Sequence, residues 1–79
     1  MSDDIPISAT VDATDLSCPL PLLKAKQGLK HLSSGEYLKV ISTDPGSQRD
    51  FKVFSELSGH ALITADAENQ VYTYIIKKA

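Results

Sequence analysis

The chain has almost no thiol: among its 79 residues there is one cysteine, Cys18. A lone thiol excludes an internal disulfide, a Cys-x-x-Cys redox pair and a multi-thiolate zinc site. It also leaves a small core with no covalent or metal staple, so folding must rest on hydrophobic patterning. No apolar run approaches the ~18 residues of a membrane span. Basic residues are not in surplus either. Eight Lys and Arg stand against ten Asp and Glu, a net charge of −2, whereas nucleic-acid modules usually show the opposite balance. The start, Met1-Ser2-Asp3-Asp4, is acidic, where a secretory leader would be basic and then apolar. Repeats, low-complexity tracts and linkers are absent. These absences lead to the expectation of one domain over residues 1–79, in the cytoplasm, where thiols stay reduced.

What is present is clear periodicity. Ile5, Ile7, Ala9, Val11 and Ala13 alternate with polar residues, the pattern of a strand with one buried side. Thr14-Asp15-Leu16-Ser17 reads as a turn. Cys18-Pro19-Leu20-Pro21 then opens a helix running to about Ser33, since proline is tolerated where backbone N–H groups lack intrahelical partners. Tyr37–Thr43 is rich in β-branched residues and predicts a second strand. After the Asp44-Pro45-Gly46 turn, Ser47 is the expected N-cap of a second helix that buries Phe51, Phe54 and Leu57 and stops at Gly59. His60–Asp66 and Val71–Lys77 predict two further strands, joined by a loop over 67–70. The order β-α-β-α-β-β implies an α/β, two-layer (α+β) sandwich: a four-stranded mixed sheet with both helices on one face. The loops holding Cys18 and Asp44 then lie side by side at the carboxyl edge of the parallel strands, where open sheets commonly place their chemistry.

In the first turn of a helix, Cys18 would face free N–H donors and the positive end of the helix dipole. Its pKa is therefore expected below that of a free cysteine, against an opposing influence from the Asp15 carboxylate. The alternative is that Cys18 is a small buried residue. On a helical wheel Leu22, Ala25, Leu29 and Leu32 form the core face. Leu20 and Leu23 fall outside it, with Lys24, Gln27 and Lys30 around them. Exposed leucines beside a reactive centre suggest partner docking, although isolated surface leucines are common. Asp50 falls within the buried arc of the second helix. The expectation is an acid satisfied by first-turn N–H groups, the alternative a strut tying its loop to the cysteine loop. Neither His31 nor His60 has a spacing to Cys18 that suggests a pair, and no metal site is expected.

Val11-Asp12-Ala13, Leu16-x-Cys18-Pro19-Leu20-Pro21, Gly35-Glu36, Asp44-Pro45-Gly46 with Asp50, Gly59-His60 and the terminal aromatic strand resemble the TusA/SirA-like sulfur carriers over nearly the whole chain. The Cys-Pro-x-Pro element is that family's signature. The resemblance implies a persulfide carried on Cys18, shaped by Pro19, Pro21, Asp44, Pro45 and Asp50, with Leu20, Leu23, Lys24 and Gln27 meeting partners. It implies a cysteine desulfurase or rhodanese-type donor and a DsrE-like acceptor. No cofactor beyond the covalent persulfide is expected, nor any direct contact with nucleic acid or membrane, and the chain should be a monomer. Such a carrier is an enzyme, a sulfurtransferase, only in the loose sense of being reloaded each cycle. The sequence departs at Asp15, where the family commonly has Gly; Asp tolerates left-handed backbone better than most residues. Ser17 and Leu20 stand where the tRNA-thiolation branch tends to be charged, which favours cytoplasmic sulfur trafficking. The competing function is a non-catalytic regulatory or adaptor module whose cysteine senses redox state. RNA binding, known for similar small α/β folds, lacks the basic, aromatic-studded face it needs.

Overall fold

The computed structural model describes residues 5–79; the acidic start Met1-Ser2-Asp3-Asp4 lies outside them. The elements run β1 (Ile7–Ala13), α1 (Leu20–Lys30), β2 (Tyr37–Ser42), α2 (Ser47–Ser58), β3 (Ala61–Glu68) and β4 (Val71–Lys77). The expected order and the four-stranded mixed sheet are both present. β1 pairs parallel to β2, while β4 is antiparallel to both β2 and β3. Strand order is β1-β2-β4-β3, so the hairpin folds back into the sheet and β4 occupies a central position.

Side-chain chemistry explains that placement. β4 is apolar and aromatic, and its Tyr74 and Ile76 are buried. β3 ends Ala65-Asp66-Ala67-Glu68, all exposed. Short and acidic side chains suit an edge, because they discourage pairing with another chain. The β3–β4 connection is two residues, Asn69 and Gln70, with φ of 53° and 66°. Two successive positive φ values match the twist of the flanking strands. Ala67 and Glu68, expected in the loop, therefore belong to the strand.

Both helices cover one face of the sheet. α1 packs on β1 and β2, α2 packs on β3, and the two helices touch. The alternation expected of β1 is present, with its odd-numbered residues turned inward. Gly28 permits the close approach of α1: a Cβ there would lie 3.1 Å from both the Leu38 Cδ1 and Val11 Cγ2 atoms. α1 ends at Lys30 rather than near Ser33, and the Lys78 Nζ donates to the Leu32 carbonyl at 2.8 Å just beyond it.

The core is Ala13, Ala25, Leu29, Leu38, Val40, Phe51, Tyr74 and Ile76, with Leu22, Leu32 and Phe54 packed partly buried against it. Pro21, expected to shape the motif, is itself buried in the first turn of α1. Leu57 contradicts expectation: it is 83% exposed. α2 buries a narrower stripe than its apolar residues span, with only Phe51 and Ser47 buried and Phe54 half-buried. Ser47 is the other correction. Gly46 occupies the N-cap, with no side-chain cap, and Ser47 is the first helical residue. Its hydroxyl instead donates to the Asp44 carbonyl at 2.7 Å and lies 2.6 Å from the buried Tyr74 hydroxyl.

Phe51 is fully buried and stacks on Tyr74, ring centroids 4.4 Å apart and planes 9° from parallel. Phe51→Ala is expected to cost about 3–5 kcal/mol, as large-to-small aromatic core changes do. Leu57→Ala should stay within about 0.5 kcal/mol, as at other surface sites. Urea unfolding of the two variants measures both, and similar losses would contradict this account of α2.

Candidate functional site

Two loops at the carboxyl ends of β1 and β2 form the site. The first begins just after β1, where the Asp12 Oδ1 accepts from the Thr14 N–H at 3.1 Å and from the Thr14 hydroxyl at 2.8 Å. These bonds lower the Asp12 pKa. Asp15 follows with φ 65°, a left-handed turn that Asp tolerates better than most residues. Its N–H donates to Thr43 Oγ1 at 2.8 Å, tying the first loop to the end of β2. Thr43 escaped notice in the sequence, since nothing there marks one threonine as a bridge across 28 positions.

Cys18 lies outside the helix that it was expected to open. The N-cap is Pro19, with no side-chain cap, and α1 starts at Leu20. The thiol is exposed and donates to Asp50 Oδ2 at 2.8 Å. Asp50 thus acts as the strut between the loops, and not as an acid turned to its own first-turn N–H groups. The electrostatic consequence reverses the sequence expectation. The hydrogen bond to Asp50 holds the Cys18 proton, with burial and the Asp50 and Asp44 charges acting in the same direction, so the pKa is raised. Both carboxylates carry full charges and one of them touches the sulfur, so both disfavour the thiolate. Asp15, the expected opponent of the thiolate, serves the backbone turn instead.

The remaining motif residues shape the second loop. The Asp44 N–H donates to Ser42 Oγ at 3.1 Å, and the Asp44 carbonyl accepts from the Ser47 N–H at 3.0 Å. Pro45 is exposed within that turn. Leu20 and Leu23 are each 45% exposed, and Lys24 and Gln27 are exposed beside them, as the helical wheel implies. A feature invisible in the sequence runs alongside. A groove of about 510 Å³ between α1 and α2 has Leu22, Val53, Phe54 and Leu57 in its apolar lining, with Lys26, Arg49 and Asp50 among its polar lining. It exists because α2 leaves Val53 and Leu57 exposed.

The histidines stand apart. The His60 Nδ1 accepts from the Ala79 N–H at 3.0 Å, and exposed His31 is the C-cap of α1. No group of three or more His, Cys, Asp or Glu that could hold a metal ion occurs among the described residues. Nor is any helix among them long and apolar enough to cross a membrane.

A small α/β sheet presenting one exposed thiol at its carboxyl edge defines a thiol-bearing domain rather than an enclosed active-site pocket. Comparison with known proteins identifies which. The family described as Sulfurtransferase TusA matches residues 9–78. A sulfur carrier protein TusA of Allochromatium vinosum is 45% identical over 69 residues, 87% of this chain and 91% of that one. A sulfur carrier protein TusA of Pseudomonas fluorescens is 37% identical over 76 residues, 96% of this chain and 92% of that one. Among solved structures, a SirA-like protein from Desulfitobacterium hafniense has a TM-score of 0.77 at 25% identity, covering 87% of this chain and 95% of that one. The chain belongs to the TusA sulfurtransferase family.

Because the Cys18 pKa is raised, the thiolate fraction at neutral pH is smaller than in a free cysteine, whose pKa is about 8.5. The iodoacetamide rate of the native protein should therefore titrate with a midpoint above that of a cysteine peptide and be slower than the peptide at pH 7. A midpoint below the peptide's would show that the helix ends dominate after all.

Proposed function

We propose that this protein carries sulfane sulfur as a persulfide on Cys18 and passes it on by thiol–persulfide exchange. The observation that supports this reading most directly is the exposed Cys18 thiol, the chain's sole cysteine, within a family match spanning residues 9–78. Exchange needs a sulfur that another protein's sulfur can reach, and Cys18 stands at an open edge. In loading, the Cys18 sulfur attacks the outer sulfur of a donor's persulfide. The donor's S–S bond breaks, its electron pair stays on the donor sulfur, and that sulfur takes up the proton Cys18 gives away. Delivery is the same exchange with Cys18 as donor. Neither step requires a metal or an organic cofactor.

A cysteine desulfurase or rhodanese-type protein is the proposed donor and a DsrE-like relay protein the proposed acceptor, with tRNA thiolation or cytoplasmic sulfur trafficking as the end use. The half-exposed Leu20 and Leu23, with Lys24 and Gln27, are the proposed contact for these partners. Pro19 holds the thiol in front of α1, and Asp44 and Pro45 shape the neighbouring turn. An adaptor with a redox-sensing cysteine would keep the same fold without taking up sulfur.

Incubation with a cysteine desulfurase, its coenzyme and cysteine, followed by intact mass measurement without reductant, should show a gain of about 32 Da per persulfide sulfur. Reductant should remove it, and Cys18→Ser should never acquire it. A wild-type protein that stays unloaded with several donors would turn the assignment to the adaptor.

Leu23→Asp is expected to change stability by less than about 0.5 kcal/mol, as surface changes do, while lowering the rate of sulfur uptake from the desulfurase several-fold. Loading at the wild-type rate would remove Leu23 from the contact, and a large loss of stability would place it in the core.

A further inference from the structure

We propose that Asp50 sets the direction of sulfur flow through Cys18, favouring the empty thiol over the loaded persulfide and so making the carrier a ready giver. The inference rests on the carrier reading above. Its basis is a contact between the cysteine loop and the first turn of α2, 32 positions apart in the sequence: Cys18 Sγ donates to Asp50 Oδ2 at 2.8 Å. Only the empty state has a proton on Sγ to make that contact. When the donor's outer sulfur bonds to Sγ, the Cys18 proton leaves with the donor sulfur and the hydrogen bond to the carboxylate is lost. The transferred sulfur, carried as an anion, then stands beside a carboxylate. Loading therefore exchanges a charge-assisted hydrogen bond for like-charge repulsion at the same residue.

The charged surroundings do not cancel this bias. Asp44, from the turn before α2, acts on Cys18 in the same sense as Asp50. Asp15, in the cysteine loop, is a further carboxylate there, though its backbone is turned to Thr43. Two cations, Lys26 on α1 and Arg49 on α2, line the groove that Asp50 also borders, and Lys24 is exposed on α1. Because the thiol is exposed, solvent limits the bias to about two- to tenfold in the loading equilibrium. That range suits a carrier, which must be loaded by one protein and emptied by the next. A thiol that bound sulfur too well would stop the relay.

The test compares equilibria. Wild type, Asp50→Asn and Asp50→Glu are each brought to equilibrium, free of oxygen, with glutathione persulfide and excess glutathione, and the loaded-to-empty ratio is read by intact mass. Asp50→Asn should raise the ratio about two- to tenfold and move the iodoacetamide midpoint down; Asp50→Glu should stay near wild type. Should Asp50→Asn fail to fold, Asp50→Ala carries the same expectation. A merely structural role would lower the unfolding temperature and leave ratio and midpoint unchanged. If wild type and the neutral variant both load to the same ratio, the inference fails and the carrier reading stands. If wild type does not load at all, both fall.

Discussion

Tyr74 is fully buried, yet it carries a hydroxyl, and satisfying that hydroxyl organises the whole functional edge. Its ring stacks on Phe51, and its oxygen lies 2.6 Å from the Ser47 hydroxyl, which itself donates to the Asp44 carbonyl. Burial of a polar group without a partner is costly. β4 can therefore place an aromatic in the centre of the sheet only if the start of α2 is brought over it. That seats the first turn of α2 at a fixed point above the sheet edge. Asp50, three residues on from Ser47, then reaches the cysteine loop.

From the other side, the cysteine loop is held by backbone chemistry. Asp12 accepts from Thr14 just after β1, Asp15 turns the chain left-handed, and the Asp15 N–H is bound by Thr43. Pro19 stands at the N-cap and Pro21 is buried in the first turn of α1. The thiol is thus fixed by its loop and exposed by its position just before the helix. The carboxylate is fixed by a separate chain of contacts. Their meeting at 2.8 Å is a product of two independent anchorages.

An exposed thiol is open to many electrophiles. Holding its proton against a carboxylate keeps it less nucleophilic in isolation while leaving it open to a docked partner. Access in this protein is a matter of position, and reactivity is a matter of which charges stand nearby. A groove lined by apolar side chains and by Lys26 and Arg49 borders the same carboxylate, so a protein seated there would alter the electrostatic setting of the thiol as it arrived. The sulfur-bearing atom and the surface beside it are therefore physically coupled through Asp50.

Much of this was legible in the sequence. The alternation in β1, the β-branched character of β2, the apolar positions of α1, the stop at Gly59 and the exposure of Leu20 and Leu23 all follow from local periodicity and backbone preference, which a single segment carries within itself. The family resemblance likewise lay in contiguous motifs around Cys18 and Asp44. What depended on long-range packing was not legible. Local rules put Cys18 in a helix turn with an acidified thiol, but one carboxylate 32 positions away reverses the sign. They put Leu57 in the core, but α2 touches the sheet along a stripe narrower than its apolar residues. They made Ser47 a cap, but a buried Tyr74 hydroxyl claimed it. Sequence determined the elements and the reactive atom because those depend on neighbours along the chain; tertiary structure alone decided the charge environment of that atom, because a pKa is set by whatever charges and donors stand within a few ångströms in space.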